Sequence, residues 1–170
     1  MEYFVKNIIL LLILVYFVSC GGGSNRTAAG SWDDAQKYRS EDRLKESITS
    51  YKTILDKYPS DNFAAEAQFQ IADIYLNDVK DFDFAVKEFQ TVVDLYPNHE
   101  VSKKSLFMIA YIFNNYLNAY SDAIITYKLF REKYPNDALI PSVEFELDGL
   151  KYIQSTIDSL NSIVNKKSNI

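Results

Sequence analysis

Few side chains in this sequence carry chemistry by themselves. There is one cysteine, Cys20, and one histidine, His99, in 170 residues. A lone thiol closes no internal disulfide and builds no metal site, so any role for Cys20 is local. His99 lies in the loop after Pro97, with no serine and aspartate spaced around it for a triad and no second histidine for a metal cluster; it reads as a solvated loop residue. Three of the five glycines form the run GGG, which leaves no glycine-rich phosphate loop. The acidic pairs Asp33 with Asp34 and Asp81 with Asp83 could be imagined as acid and base, but they stand at expected helix starts, where carboxylates suit the dipole. The sequence therefore points to no catalytic residue, no metal and no cofactor, and to a protein that is not an enzyme.

What remains is a question of surfaces and of the elements that build them. Hydrophobic residues make 48% and charged residues 24% of the chain, which suits one folded domain. The net charge of −5 comes from 23 acidic and 18 basic residues mixed along the chain, so no basic stripe exists to neutralise phosphates and nucleic acid is excluded as a partner. The 13 tyrosines and 11 phenylalanines could suggest a carbohydrate platform, but they recur at fixed places in a repeat, which assigns them to the core.

The N-terminus explains the position of the cysteine. From Ile8 to Val18 runs IILLLILVYFV, too short to span a bilayer comfortably and the right length for the apolar region of a secretory signal, here residues 1–19. Lys6, offset by Glu2, is a weak charged flank for it. The stretch FVSC resembles the lipobox of bacterial lipoproteins, Ser19 and Cys20 matching and Phe17 standing where leucine is preferred. That resemblance implies that Cys20 is acylated and becomes the mature N-terminus, with residues 20–30 as a flexible tether. The competing reading leaves Cys20 idle in an uncleaved anchor. The same resemblance implies, from Gly21 in place of a retention aspartate, the periplasmic face of the outer membrane.

Downstream, KYPSD, LYPNH and KYPND place Pro59, Pro97 and Pro135 at intervals of 38 residues, the mark of a stacked helical repeat. Ser47, Ala85 and Ala123 obey the same offset, as do Tyr51, Phe89 and Tyr127, then Phe69, Phe107 and Phe145, and Ala72 with Ala110. Apolar residues at helical spacing make each repeat two helices, the proline ending the second and Ser60, Asn98 or Asn136 capping the next. Small residues (Ala35, Ala72, Ala85, Ala110, Ala123) allow close crossings, and Phe89 and Tyr127 fill the space beside them. The spacing gives an all-α fold with repeats at 31–60, 61–98 and 99–137, followed by a capping helix and tail at 138–170. In that last segment Ile153, Ile157, Leu160 and Val164 read as a stripe packed on the final repeat.

The steps Ala85, Phe89, Val92, Pro97 and Ala123, Tyr127, Phe130, Pro135 resemble the second helix of tetratricopeptide (TPR) repeats. The first repeat keeps the usual spacing; the next two hold four extra residues each, one of them between the helices near NDVKD and NNYLNAYSD. The resemblance implies a right-handed superhelix of about three helix pairs with a concave face formed by the first helices. By TPR position that face carries Trp32, Asp33, Gln36 and Arg39, then Gln70, Asp73 and Asn77, then Met108, Tyr111, Asn114 and Asn115. It suits an extended or helical peptide held by amides and aromatic anchors. An acidic tail suits it poorly, since Arg39 is its only cation. With a lipobox in front, the chain resembles BamD-type outer-membrane assembly lipoproteins, and also the CpoB/YbgF type of Tol-Pal coordinator. Glycan or solute binding is a further alternative. The partners implied are envelope proteins or peptide segments, with the membrane reached through the N-terminal lipid.

Overall fold

The computed structural model describes residues 27–168, so the signal stretch, Cys20 and the tether as far as Arg26 lie outside the described residues. Among the described residues seven α-helices follow one another: α1 (Ala28–Ser40), α2 (Leu44–Lys57), α3 (Phe63–Ile74, continued by a π-helical turn at Tyr75–Val79), α4 (Phe82–Leu95), α5 (Glu100–Asn115), α6 (Tyr120–Lys133) and α7 (Ile140–Ser168). No strand occurs among the described residues. Each helix packs on the next, and α1 also touches α3 as α3 touches α5. The hairpins therefore stack in register, with their first helices side by side.

The sequence sets the helix ends through repeated local chemistry. Tyr58, Tyr96 and Tyr134, each preceding a proline, leave helical geometry at φ −134°, −126° and −131°. This is the steric effect of the proline ring on the residue before it. The next helix is capped one residue later than the spacing suggests. Asp61 Oδ1 accepts from the Phe63 amide, His99 Nδ1 from Val101 and Asp137 Oδ1 from Leu139, whereas Ser60, Asn98 and Asn136 make no such bond. These three caps are themselves 38 residues apart. His99 is thus a half-buried cap and not a freely solvated loop residue.

The turn within each hairpin absorbs the extra residue. Asp42, Lys80 and Asn118, again at equal intervals, all adopt the left-handed conformation, with φ of 58°, 61° and 52°. From Ala35 to Asp42 is one residue shorter than from Ala72 to Lys80 or from Ala110 to Asn118. In the second repeat the surplus widens the helix end into the π turn, where the Lys80 amide reaches the Tyr75 carbonyl five residues back. In the third repeat the Leu117 amide reaches the Ile112 carbonyl in the same way, 3.1 Å away.

At the N-terminus, α1 starts inside the stretch expected as tether. Thr27 caps it, its Oγ1 accepting from the Gly30 amide at 3.1 Å, so residues 28–30 are helical. Asp33 and Asp34 consequently stand in the second turn, while Asp81 does cap α4, accepting from the Phe84 amide.

The core is a chain of overlapping clusters, one per junction. Ala72, Ala85 and Phe89 are fully buried with Leu76, Ile109 and Ile112, and Ala110, Ala123 and Tyr127 with Phe130, Leu147 and Leu150. Ala35 and Tyr51 do the same with Ile54 and Ile71. Each alanine lets two helices approach and each ring fills the volume left beside them. Burying a ring such as Phe89 stabilises by roughly 2–3 kcal/mol.

The last helix departs from expectation. Val143, Leu147 and Leu150 are buried against the third repeat, but Ile157 and Leu160 are exposed and Ile153 is half-buried. The Ile157 and Leu160 part of the stripe expected to pack on that repeat overhangs it, because a helix of 29 residues outruns the 14-residue α6 beneath it; the side chain of Val164 lies outside those described.

Candidate functional site

The candidate groove divides into two halves of different chemistry. On α1 and α3 the polar residues are tied to one another. Arg39 Nη2 stands 2.6 Å from Asp73 Oδ2 and 2.6 Å from Asp78 Oδ2, while its Nη1 donates to Gln70 Oε1 at 3.0 Å. Asn77 donates to the other Asp73 oxygen at 2.8 Å. Burial lowers the guanidinium pKa, but bonds to Asp73 and Asp78 outweigh it and hold Arg39 above its usual range. Two carboxylates on one cation leave this patch acidic. It cannot clamp a carboxylate of a partner, which strengthens the case against an acidic tail.

Two more of the expected groove residues are structural. Gln36 Nε2 donates to the Tyr51 hydroxyl at 2.5 Å, and Trp32 packs edge-on against Tyr51 and at a tilt on Phe63, with centroids 5.3 and 5.2 Å apart. Asp33 is exposed beside them.

The α5 half is aromatic and open. Tyr111 lies between Phe107 and Tyr116, and Tyr116 stacks on Phe82 at 4.4 Å. Asn114 donates to Glu146 of α7 at 2.7 Å, and Asn115 bonds back to the Tyr111 carbonyl. Met108 lines a cleft of about 590 Å³ between α3, α5 and the loop before α7, floored by Phe69, Phe107 and Leu139. Lys103 spans its rim, 2.9 Å from both Glu100 and Asp137. Lys104 is exposed there with no ion pair among the described residues. Such a volume, apolar with a few charges at the mouth, suits a bulky side chain of a peptide.

Of the residues lining this cleft, sequence reasoning named Met108 for the groove and did not name Phe69, Phe107, Lys103, Lys104 or Leu139 for it. The two phenylalanines were assigned wholly to packing, which is half of what they do. The Lys103–Lys104 pair at the start of a helix, where cations oppose the dipole, was the available signal. Among the described residues no three His, Cys, Asp or Glu side chains gather as a metal site would require.

Stacked antiparallel helix hairpins whose first helices share one open, partly aromatic face define a TPR-like helical-repeat protein. Residues 18–141 match the family model of the soluble NSF attachment protein, SNAP, and the chain belongs to that family. None of the curated proteins matches it. The family is one of α-helical TPR-like repeats, so the resemblance to TPR proteins holds at the level of the repeat class, without distinguishing a BamD or a CpoB/YbgF type.

Proposed function

We propose that this chain is a lipid-anchored scaffold of the bacterial cell envelope, held by Cys20 on the periplasmic side of the outer membrane and working by binding proteins or peptide segments, without turnover. The observation that carries the binding role is the Met108 cleft. It is open and apolar, it contains Met108 of the expected groove, and Phe107 in its floor stacks on Tyr111 with ring centroids 6.5 Å apart. The matching family is named for attachment, and an adaptor that works by contact is the part of that name carried over here. The lipobox-like FVSC supports the anchor. Stretched repeats with YP at each end favour outer-membrane β-barrel assembly of the BamD kind as the setting. Tol-Pal coordination is the second setting.

A photoactivatable residue at position 108, installed in the full chain in its native envelope, tests the binding role. Crosslinks to a barrel-assembly component support the first setting and crosslinks to a Tol-Pal component the second; no adduct beyond that of a probe at exposed Asp56 rejects the cleft. For the anchor, Cys20→Ala is expected to leave the protein out of the membrane fraction.

A further inference from the structure

The cleft at Met108 belongs to one junction of the stack, and the corresponding seam one repeat earlier is filled. Moving back 38 residues from Leu139, Lys103, Phe107 and Met108 gives Val101, Ala65, Phe69 and Gln70. There Val101 and Ala65 are both buried in one cluster, with Phe69 and Tyr96 packed against it, and Gln70 is held by Arg39. The small side chain of Ala65 lets the start of α5 settle onto α3. At the next junction a lysine stands in its place. An ammonium cannot be left in an apolar seam, so Lys103 reaches to Asp137 as well as to Glu100, 2.9 Å from each, and Leu139 stays half-buried. The open volume of about 590 Å³ lies beside that strut.

The rim changes sign at the same step. Glu66 of α3 corresponds to Lys104 of α5, which stands one helical turn before Met108. Lys104 lines the mouth, is exposed, and forms no ion pair among the described residues. Glu100, the acid one turn before it, is engaged with Lys103 instead. The cleft therefore offers an apolar floor with an available cation at its edge. A run of acids remains unsuited to the groove, because the neighbouring half carries Asp73 and Asp78 on a single arginine. One carboxylate, placed beside an apolar side chain, is what this edge can take.

We propose that the cleft takes a segment of a partner protein in which a bulky apolar side chain stands two residues from an acidic one, the first seated against Phe107 and Met108 and the second paired with Lys104; this rests on the cleft being the binding site and adds the chemistry of what enters it. The spacing follows from the geometry of the two chains. The four residues from Lys104 to Met108 advance about 6 Å along α5, and two residues of an extended segment, whose side chains point the same way, advance about 6.6 Å. The apolar side chain supplies the affinity and the carboxylate supplies the selection.

Met1 and Met108 are the two methionines of the chain, so NMR of isotope-labelled methionine methyls in the full-length protein, held in mild detergent, reports directly on the cleft. The probes are end-blocked hexapeptides with the cores Phe-Ser-Glu, Phe-Ser-Gln and Ala-Ser-Glu. The first is expected to shift the Met108 methyl and to bind about threefold to fivefold more tightly than the second, and the third to leave the methyl unmoved. Lys104→Gln should bring the two phenylalanine peptides level, and Lys104→Glu should turn the preference toward a Phe-Ser-Lys core. Both variants should melt with the natural chain, because Lys104 is exposed. Equal binding of the Glu and Gln peptides, or a preference that survives Lys104→Gln, overturns the proposal and leaves the cleft as a site for apolar side chains alone. A Met108 methyl that none of the peptides moves at about 5 mM overturns the proposal and the binding role of the cleft together. A methyl that moves with protein concentration in the absence of peptide puts a second copy in the cleft and likewise overturns it.

Discussion

Arg39 of α1 and Asp73 of α3 meet across the junction of the first two repeats, Nη2 to Oδ2 at 2.6 Å, with side chains only 22% and 26% exposed. Their helices are separated by the whole of α2, so the contact reports the stacking of one hairpin on the next. Arg39→Ala leaves Asp73 and Asp78 close together without a cation. A loss of about 1–2 kcal/mol is expected, between the values for exposed and fully buried pairs. Urea unfolding of the variant beside Arg39→Lys measures it, the lysine recovering part of the loss; no change in midpoint for the alanine variant would sink the claim that the network joins the repeats.

Tyr51 and Tyr127 occupy the same place in different repeats but differ in their hydroxyls. The Tyr51 hydroxyl accepts from Gln36, whereas that of Tyr127 is buried with no hydrogen-bond partner among the described residues. The repeat between them uses Phe89. Tyr127→Phe should therefore stabilise by about 1 kcal/mol, while Tyr51→Phe costs a similar amount. The expected ordering of chemical-denaturation midpoints is Tyr127→Phe, then the natural chain, then Tyr51→Phe.

Burial pushes the Tyr51 phenol up to about 12, the Arg39 charge and then the Gln36 bond acting in the opposite sense, and burial raises Tyr127 as well. A folded value above the unfolded one gives stability that is complete below about pH 10 and is lost as pH rises through the folded value. Melting temperature should accordingly fall in alkali, and fall less when both tyrosines are phenylalanine. An equal fall in the double variant rejects the assignment.

At the other end of the scale, the Asp137 carboxyl is held below its usual range, first by the Leu139 amide and then by Lys103. A lowered folded value gives stability present above about pH 4 and lost as pH falls through it. Asp137→Asn should flatten the acid side of the stability profile by no more than about 1 kcal/mol, since the pair stands at the rim of an open cleft. Unfolding free energy followed from pH 5 downward in both proteins gives the difference directly.

Lys80 holds φ 61° at the end of the π turn, a conformation that places its Cβ near its own backbone. Lys80→Gly relieves this and should stabilise by about 1 kcal/mol, less the entropy that glycine adds to the unfolded chain. At Asn118, in the same conformation, the gain should be smaller because asparagine tolerates it. Thermal melts of the two variants compare them.

The repeat was legible because it is a local code. A tyrosine before proline leaves the helix wherever it occurs, and alanines and rings at helical spacing need no distant partner to declare a packed face, so α1 to α6 and the buried Ala72, Ala85, Phe89 and Tyr127 could be named from order and spacing alone. The caps were displaced by one residue because serine, asparagine, aspartate and histidine all suit the role, and only the approach of the chain selects Asp61, His99 and Asp137.

The groove was legible only as a list of positions. Sequence placed Arg39, Gln70 and Asp73 on one face; that they consume each other depends on how far α3 is displaced from α1, which no local pattern encodes. In the same way Ile157 and Leu160 carry a packing signal whether or not anything lies opposite. The order of residues by itself determined the helices, their pairing and which side chains enter the core, because those follow from backbone sterics and from 3.6-residue periodicity. Only the tertiary structure decided which half of the shared face stays open and which part of α7 lies uncovered, because both depend on where one hairpin ends relative to its neighbour in space.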